Sequence, residues 1–334
     1  MNPVERPRIA VAGVGALGFH HARILAALDD VEMCGIFDVR SERAAEVGEK
    51  LGVRIHDSLD ALLDGCDALV VAVPTSSHEE VAAAALERGA PVLVEKPLAP
   101  DLEAADRILA AAEAVGAFVQ TGHVERFNQA VLAAEPFLDR PMFVESHRMA
   151  PFTPRSTDVA VVLDLMIHDV DLVMSLVGTP LRELAASGVP VLTPNVDIAS
   201  ARLGFEGGAV ANLTASRVSL ERMRKLRLFQ RSGYVSLNLA EGTGEFLRLK
   251  SELSTLQAQA AEGVGATDLA QIVERVPLQG DGVEPLRREL ENFRDAVRGL
   301  APPAVSGADG RAALSVALSI QERIESHVAD TRPA

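Results

Sequence analysis

The sequence predicts an α/β protein in two parts. The first is a parallel-sheet domain over residues 1–122; the second is an α+β domain over residues 123–334, with a largely antiparallel sheet open on one face. Two observations carry this reading. Through roughly the first 120 residues, short apolar runs alternate with helical patterns, the order of βαβ units that builds a parallel sheet. After Gly122 the pattern changes to segments of period two, the signature of half-buried antiparallel strands. A chain of 334 residues is long enough for two cores.

The elements follow in order. "RIAVAGVG" is a strand entering a glycine turn, "FHHARILAAL" a helix and "VEMCGIFDV" a second strand. "SERAAEVGEKLG" is a helix stopped by Gly52. "DALVVAVP", "PVLVEKP" and "AFVQTGH" are further strands, with Ala- and Glu-rich helices between them. Next come a helical "RFNQAVLAAEPFL" and a strand "MFVESHRMA". "VAVVLDLMIHDVDLVMSLVG" (159–178) reads as one helix, apolar almost all round and therefore buried, yet it carries Asp164, His168, Asp169 and Asp171. "DIASARLGFEGGAVANLTASRVS" is a hairpin turning at Gly207-Gly208, and "RKLRLFQRSGYVSLNLAEG" continues the sheet through a turn at Ser232-Gly233. Residues 258–271 are poor in apolar side chains and are expected to form a mobile loop. "EPLRRELENFRDAVRG" and "GRAALSVALSIQERIESH" are closing helices.

Composition narrows the classes. The net charge of −15 argues against nucleic-acid and anionic-membrane partners, both of which need a basic face. It leaves small anionic ligands open. No apolar run is long enough to span a bilayer, and the glycine-rich "IAVAGVGALG" reads as strand and turn rather than a signal peptide. Cys34 and Cys66 give neither a disulfide framework nor zinc spacing, so a reducing cytoplasm and no metal are expected. The basic stretch with Arg217, Arg222, Arg224, Lys225, Arg227 and Arg231 is expected to be an exposed strand face or an interface between copies.

Two constellations carry chemistry. Gly13, Gly15 and Gly18, with Ala16 and Leu17 between them, form GxGxxG between a strand and a helix. The glycines permit a tight turn, close approach of a pyrophosphate, and close packing of helix on strand. Asp38 ends the second strand, where a carboxylate bonds both ribose hydroxyls and repels a 2′-phosphate. NAD is therefore expected over NADP, although Arg40 stands close enough to tolerate the phosphate. The second constellation begins with Glu95 and Lys96, at the end of a strand where open α/β sheets bind ligands. Asp164, His168 and Asp171, spaced four and three residues apart, are expected to share one helix face, with Asp169 pointing elsewhere.

GxGxxG, the strand-ending Asp38, "VAVPTSSH", "EKP" and "DLMIHDVD", in this order, resemble the Gfo/Idh/MocA oxidoreductases over essentially the whole chain. The resemblance implies a Rossmann domain joined to an α/β domain built on an open antiparallel sheet, and a nicotinamide cofactor. It makes Lys96 the active-site lysine and Asp164 and His168 the acid and histidine of the DxxxH pattern. It places Pro74, Thr75 and His78 in the cofactor-side loop. One departure is that "STDVAVVLD" stands where many members have a glycine pair. "GHVERFNQAV", "RMAPFTPRSTDVAVVLDLMIHDVDL" and "RKLRLFQRSGYVSLNLAEG" further resemble the branch that oxidises the 3-hydroxyl of UDP-N-acetylglucosamine, whose ketone feeds an aminotransferase. On that basis His123, Arg126, Phe127 and Arg155 join Lys96, Asp164 and His168 as expected substrate contacts, Arg155 toward the diphosphate, with uracil stacking falling to Phe127, Phe152 or a histidine. Either His168 or Lys96 can serve as the base, with the lysine alternatively donating to the reacting oxygen. The alternatives are a free-sugar or inositol dehydrogenase, or a nonenzymatic dinucleotide sensor. A homodimer or homotetramer is expected.

Overall fold

The computed structural model describes residues 5–153, 159–250 and 272–331, with side chains through residue 326. The chain divides into two compact units. One is Met1–Val124 with Glu284–Leu318; the other is Glu125–Val283 with Ser319–Ala334.

In the first unit the elements are β1 (Arg8–Ala12), α1 (Ala16–Ala26), β2 (Glu32–Phe37), α2 (Ser41–Leu51), α3 (Leu59–Leu63), β3 (Ala68–Val71), α4 (His78–Leu86), β4 (Val92–Glu95), α5 (Leu102–Val115) and β5 (Val119–Gly122). The strands form one sheet of order β2-β1-β3-β4-β5, and every pair is parallel. Apart from Arg8 at the start of β1 and Glu95 at the end of β4, β1, β3 and β4 are apolar because both faces of the sheet are covered. Strand order reverses at β1, so the carboxyl ends of β1 and β3 border the crevice where such sheets take ligands.

Residues 284–318 correct the expected contiguous second domain 123–334. α8 (Pro285–Val297) sends Leu290 and Phe293 into the apolar cluster of Ile9, Val11, Leu25, Ile36 and Val70. Burying each such side chain is worth about 1.5–3 kcal/mol relative to leaving it in water. The segment that follows adds backbone pairing to β5, as Thr121 N–H donates to Val305 O at 3.0 Å. Gly310, in α9 (Gly307–Thr331), lies so close to β5 that a Cβ there would meet Thr121 Oγ1 at 2.1 Å.

In the second unit, α6 (Gln129–Ala134), β6 (Phe143–Met149) and α7 (Ile167–Val177) precede β7 (Leu181–Val189), β8 (Ile198–Phe205), β9 (Val210–Ser216), β10 (Met223–Gln230), β11 (Gly233–Asn238), β12 (Thr243–Leu249) and β13 (Val273–Gln279). The eight strands order β13-β12-β11-β10-β6-β9-β8-β7; only the central β6–β9 pair is parallel. This is the α+β architecture with a largely antiparallel sheet that the period-two pattern predicts. The β8–β9 hairpin turns at Gly207 (φ 85°) and Gly208 (φ 89°) as expected. β9, β10 and β11 bury alternate residues (Ala211, Leu213, Ala215, Leu226, Leu228, Val235 and Leu237) and leave their other face more open. The expected single helix over 159–178 divides: Val162–Met166 is π-helical, α7 follows directly, and Gly178 (φ 68°) ends it. The expected loop at 258–271 lies outside the described residues.

Candidate functional site

The glycine turn of the first unit has the shape a dinucleotide needs. Gly13 takes φ 83°, and a Cβ on it would lie 2.6 Å from Ala72 O, so β1 and β3 leave no room for a side chain. At Gly18 a Cβ would meet Gly13 O at 1.9 Å, which lets α1 start against β1. Gly15 differs, because the nearest atom to its would-be Cβ is Arg40 Nη2 at 3.8 Å. It caps α1 with no side-chain acceptor, so the first N–H groups of that eleven-residue helix remain available to an anion. Ala16 and Leu17 are exposed beside them. These residues fit a dinucleotide pyrophosphate.

Asp38 follows β2 directly. Its Oδ2 accepts from Val14 N at 2.9 Å, and its Oδ1 from Arg40 N at 2.9 Å and Arg40 Nε at 3.2 Å. Burial works against its charge, but the bonds from Arg40 and Val14 prevail and hold it below the usual carboxylate range. A feature that sequence reasoning missed is Arg43. It donates to the turn's own carbonyls, Val14 O at 2.8 Å and Gly15 O at 3.3 Å, and so props the turn from α2. Its place in the first turn of α2 is a weak signal, since arginines are common there.

At the ends of β3, β4 and β5 the expected residues divide. Pro74 is exposed and Thr75 half-buried. His78, expected to contact cofactor, is buried and pinned: Nε2 lies 3.1 Å from Val73 O, and Nδ1 lies 3.1 Å from Pro97 O and 3.3 Å from Leu98 O. Burial pushes its imidazole below the ordinary value, against the pull of those carbonyls. It ties the loop after β3 to the segment after β4. Lys96 is half-buried at the end of β4, and a cis bond joins it to Pro97. Glu95 is buried, accepting from Lys96 N at 3.1 Å and from His21 Nε2 at 2.7 Å. His123, after β5, is fully buried.

In the second unit the charged helix separates into two pairs, which corrects the expected acid–histidine–acid row. Asp164, in the π-helical turn, and His168, in the first turn of α7, are half-buried. Asp169 and Asp171 are buried, and each is gripped by an arginine. Arg148 of β6 holds Asp169 at 2.8 and 3.0 Å, and also donates to Glu125 at 2.8 Å. Burial opposes the Arg148 charge, but Asp169 and Glu125 outweigh it and keep the guanidinium above its ordinary value. Arg224 approaches Glu125 at 3.3 Å, and Asn128 donates to the same carboxylate at 2.9 Å. Arg126, expected on substrate, instead donates to both oxygens of Asp171 at 2.7 Å and to Ser175 Oγ at 2.6 Å. Phe127 is buried in the core and offers no open face for stacking. Arg217, grouped above with an exposed basic face, is buried and donates to Val159 O just ahead of the helix. Arg155 lies outside the described residues. Among the described residues, no group of three or more His, Cys, Asp and Glu is arranged to hold a metal ion, and no helix is long and apolar enough to cross a membrane.

Residues 7–123 match the model of the oxidoreductase family with an NAD-binding Rossmann fold (Gfo/Idh/MocA), and residues 135–236 match the Gfo/Idh/MocA C-terminal domain. The chain is 35% identical over 319 residues to UDP-N-acetylglucosamine 3-dehydrogenase of Acidithiobacillus ferrooxidans, covering 95% of this chain and 97% of that protein. A solved structure of that enzyme superposes with a TM-score of 0.89 over 98% of this chain and 99% of its own. Myo-inositol 2-dehydrogenase of Thermotoga maritima is 26% identical, covering 95% of this chain and 96% of that protein.

Proposed function

The chain belongs to the Gfo/Idh/MocA oxidoreductases, and on that premise we propose that it uses NAD to oxidise the 3-hydroxyl of UDP-N-acetylglucosamine or a related UDP-sugar to a ketone. The observation that carries the substrate is the similarity, end to end, to an enzyme of that name. Asp38 supports NAD over NADP: an ionised carboxylate at the end of β2 suits ribose hydroxyls and disfavours a phosphate.

Oxidising a secondary alcohol removes a hydride from carbon and a proton from oxygen. A bound nicotinamide dinucleotide supplies the hydride acceptor. This chain supplies the rest: Lys96 and His168 handle the oxygen and its proton, and Asp164 orients the imidazole or a neighbouring hydroxyl. His168 has the side-chain type whose unperturbed titration lies nearest neutrality. Arg155 is proposed for the diphosphate.

Association of two or four copies is part of the proposal, and the second unit's sheet supports it. Phe143, Phe229 and Tyr234 form a row on its open face, with ring centroids 5.8 and 4.6 Å apart. Such a row is costly to leave in water. The ketone would pass to an aminotransferase, and the cytoplasm is the proposed compartment. The test is NADH formation with UDP-sugars, free sugars and inositols in parallel. Fastest turnover with UDP-N-acetylglucosamine is expected. Faster turnover of myo-inositol than of any UDP-sugar would replace this reading with the inositol one, which the Thermotoga relative supports.

A further inference from the structure

Glu95 is a buried carboxylate for which the sheet has made room. It is 8% exposed at the end of an otherwise apolar strand. The neighbouring strand ends in Gly122, where a Cβ would stand 3.1 Å from Glu95 Oε2. From the other side, α1 presents His21, 0% exposed, with Nε2 2.7 Å from Oε1. Burying an ion costs several kcal/mol, and an apolar pair would often hold these elements as well. The arrangement therefore calls for a reason beyond packing.

The hydrogen-bond inventory supplies one. Among the described residues, His21 Nδ1 is buried and has no partner. At 2.7 Å from a carboxylate oxygen, Nε2 carries a hydrogen, and a charged ring would have its charge met by Glu95 while leaving a buried N–H unmet at Nδ1. His21 therefore donates to Glu95 and aims it. The carboxylate stays below its usual range against burial, helped first by His21 and also by the positive charge of Lys96. The Glu95 charge also reaches His78 on α4. That attraction is mutual: the same anion favours the ammonium form of Lys96.

We infer that His21 and Glu95 are positioning residues for Lys96, holding its side chain as an ammonium ion at the end of β4. The inference rests on the dehydrogenase reading but makes a claim that can be checked without turnover. In the chain without cofactor, the Lys96 Nζ resonance, assigned by its loss in Lys96→Arg, is titrated by NMR in wild type and in Glu95→Gln. The titration midpoint should move to lower pH in the variant. With NAD and UDP-N-acetylglucosamine, kcat should fall about tenfold, less than the roughly 100-fold low end for a group that itself handles the proton, while the sugar KM changes little. Should Glu95→Gln not fold, His21→Leu serves in its place and should shift the midpoint in the same direction; His21→Gln, which keeps a donor, should restore it. An unmoved Lys96 midpoint in a folded variant overturns the inference. Absence of turnover by wild type on every sugar overturns the functional reading instead and leaves the titration decisive for the pair.

Discussion

Each unit buries carboxylates, but the two settle their charge differently. In the second unit Asp169 and Asp171 each meet a guanidinium with both oxygens, and Arg148 spends its remaining reach on Glu125. Those clusters close on themselves. In the first unit Glu95 has a histidine, a backbone N–H and the charge of the neighbouring lysine. A buried charge is thus not in itself a mark of chemistry. What matters is whether its partners complete it locally or leave it acting on a group at a strand end.

The largest effect should come from opening a closed cluster. Arg148→Ala or Asp169→Asn removes one partner of a buried pair and should cost about 3–5 kcal/mol of stability, read by urea unfolding. Asp169 is the residue that reasoning from helix faces alone sets aside as minor. A loss below about 1 kcal/mol for both variants would erase the distinction between the two clusters.

Next in size are the half-buried residues. Lys96→Ala and His168→Ala should each lower kcat at least about 100-fold, equivalent to about 2.7 kcal/mol, with NAD affinity nearly unchanged. Steady-state kinetics and NAD titration separate the two quantities. Near-normal turnover of His168→Ala would rule out the proposed proton route. Arg126→Ala sharpens the contrast. It should lose stability by breaking the Asp171 pair, and any effect on sugar KM should be small compared with that of Lys96→Ala.

What was legible in the sequence, and what was not, follows from distance along the chain. The glycine turn and Asp38 lie within 26 residues of one another and obey local geometry, so strand, turn, helix and strand end could be read together. The β8–β9 hairpin was likewise carried by adjacent glycines. His21 and Glu95 are 74 residues apart, and nothing near either announces the other. The same holds for the return of α8 to a core laid down by β1 and α1; Arg148 and Asp169 are only 21 residues apart, but they sit on a strand and a helix whose packing no turn rule relates. The π-helical turn at Val162–Met166 escaped because spacing arguments assume 3.6 residues per turn throughout. The resemblance suggested that Arg126 and Phe127 could touch substrate. Their partners, Asp171 and the core, are known only from the fold.

A smaller effect concerns the cofactor. Asp38→Ala should narrow the preference for NAD over NADP by roughly tenfold, the scale of one charge-assisted hydrogen bond. Fluorescence titration of both dinucleotides measures it. Equal wild-type affinities would mean that Arg40, rather than Asp38, governs that end of the site.

The smallest effect tests the closed cluster through pH. Burial alone would raise the Glu125 carboxyl, but Arg148 and Arg224 outweigh it and hold it below its ordinary value. A group depressed in the folded state contributes stability that is present above its unfolded value, about 4.3 for glutamate, and is lost as pH falls through the folded value. Wild-type stability should therefore decline from about pH 5 toward pH 3, where the unfolded chain binds more protons than the folded one. Glu125→Gln removes one such group. The variant should be less stable at neutral pH yet lose less on acidification, so its plot of unfolding free energy against pH should be shallower across that interval. A plot parallel to that of wild type would place the Glu125 proton uptake outside this window, and with it the claim that the second unit's charges are settled by its own arginines.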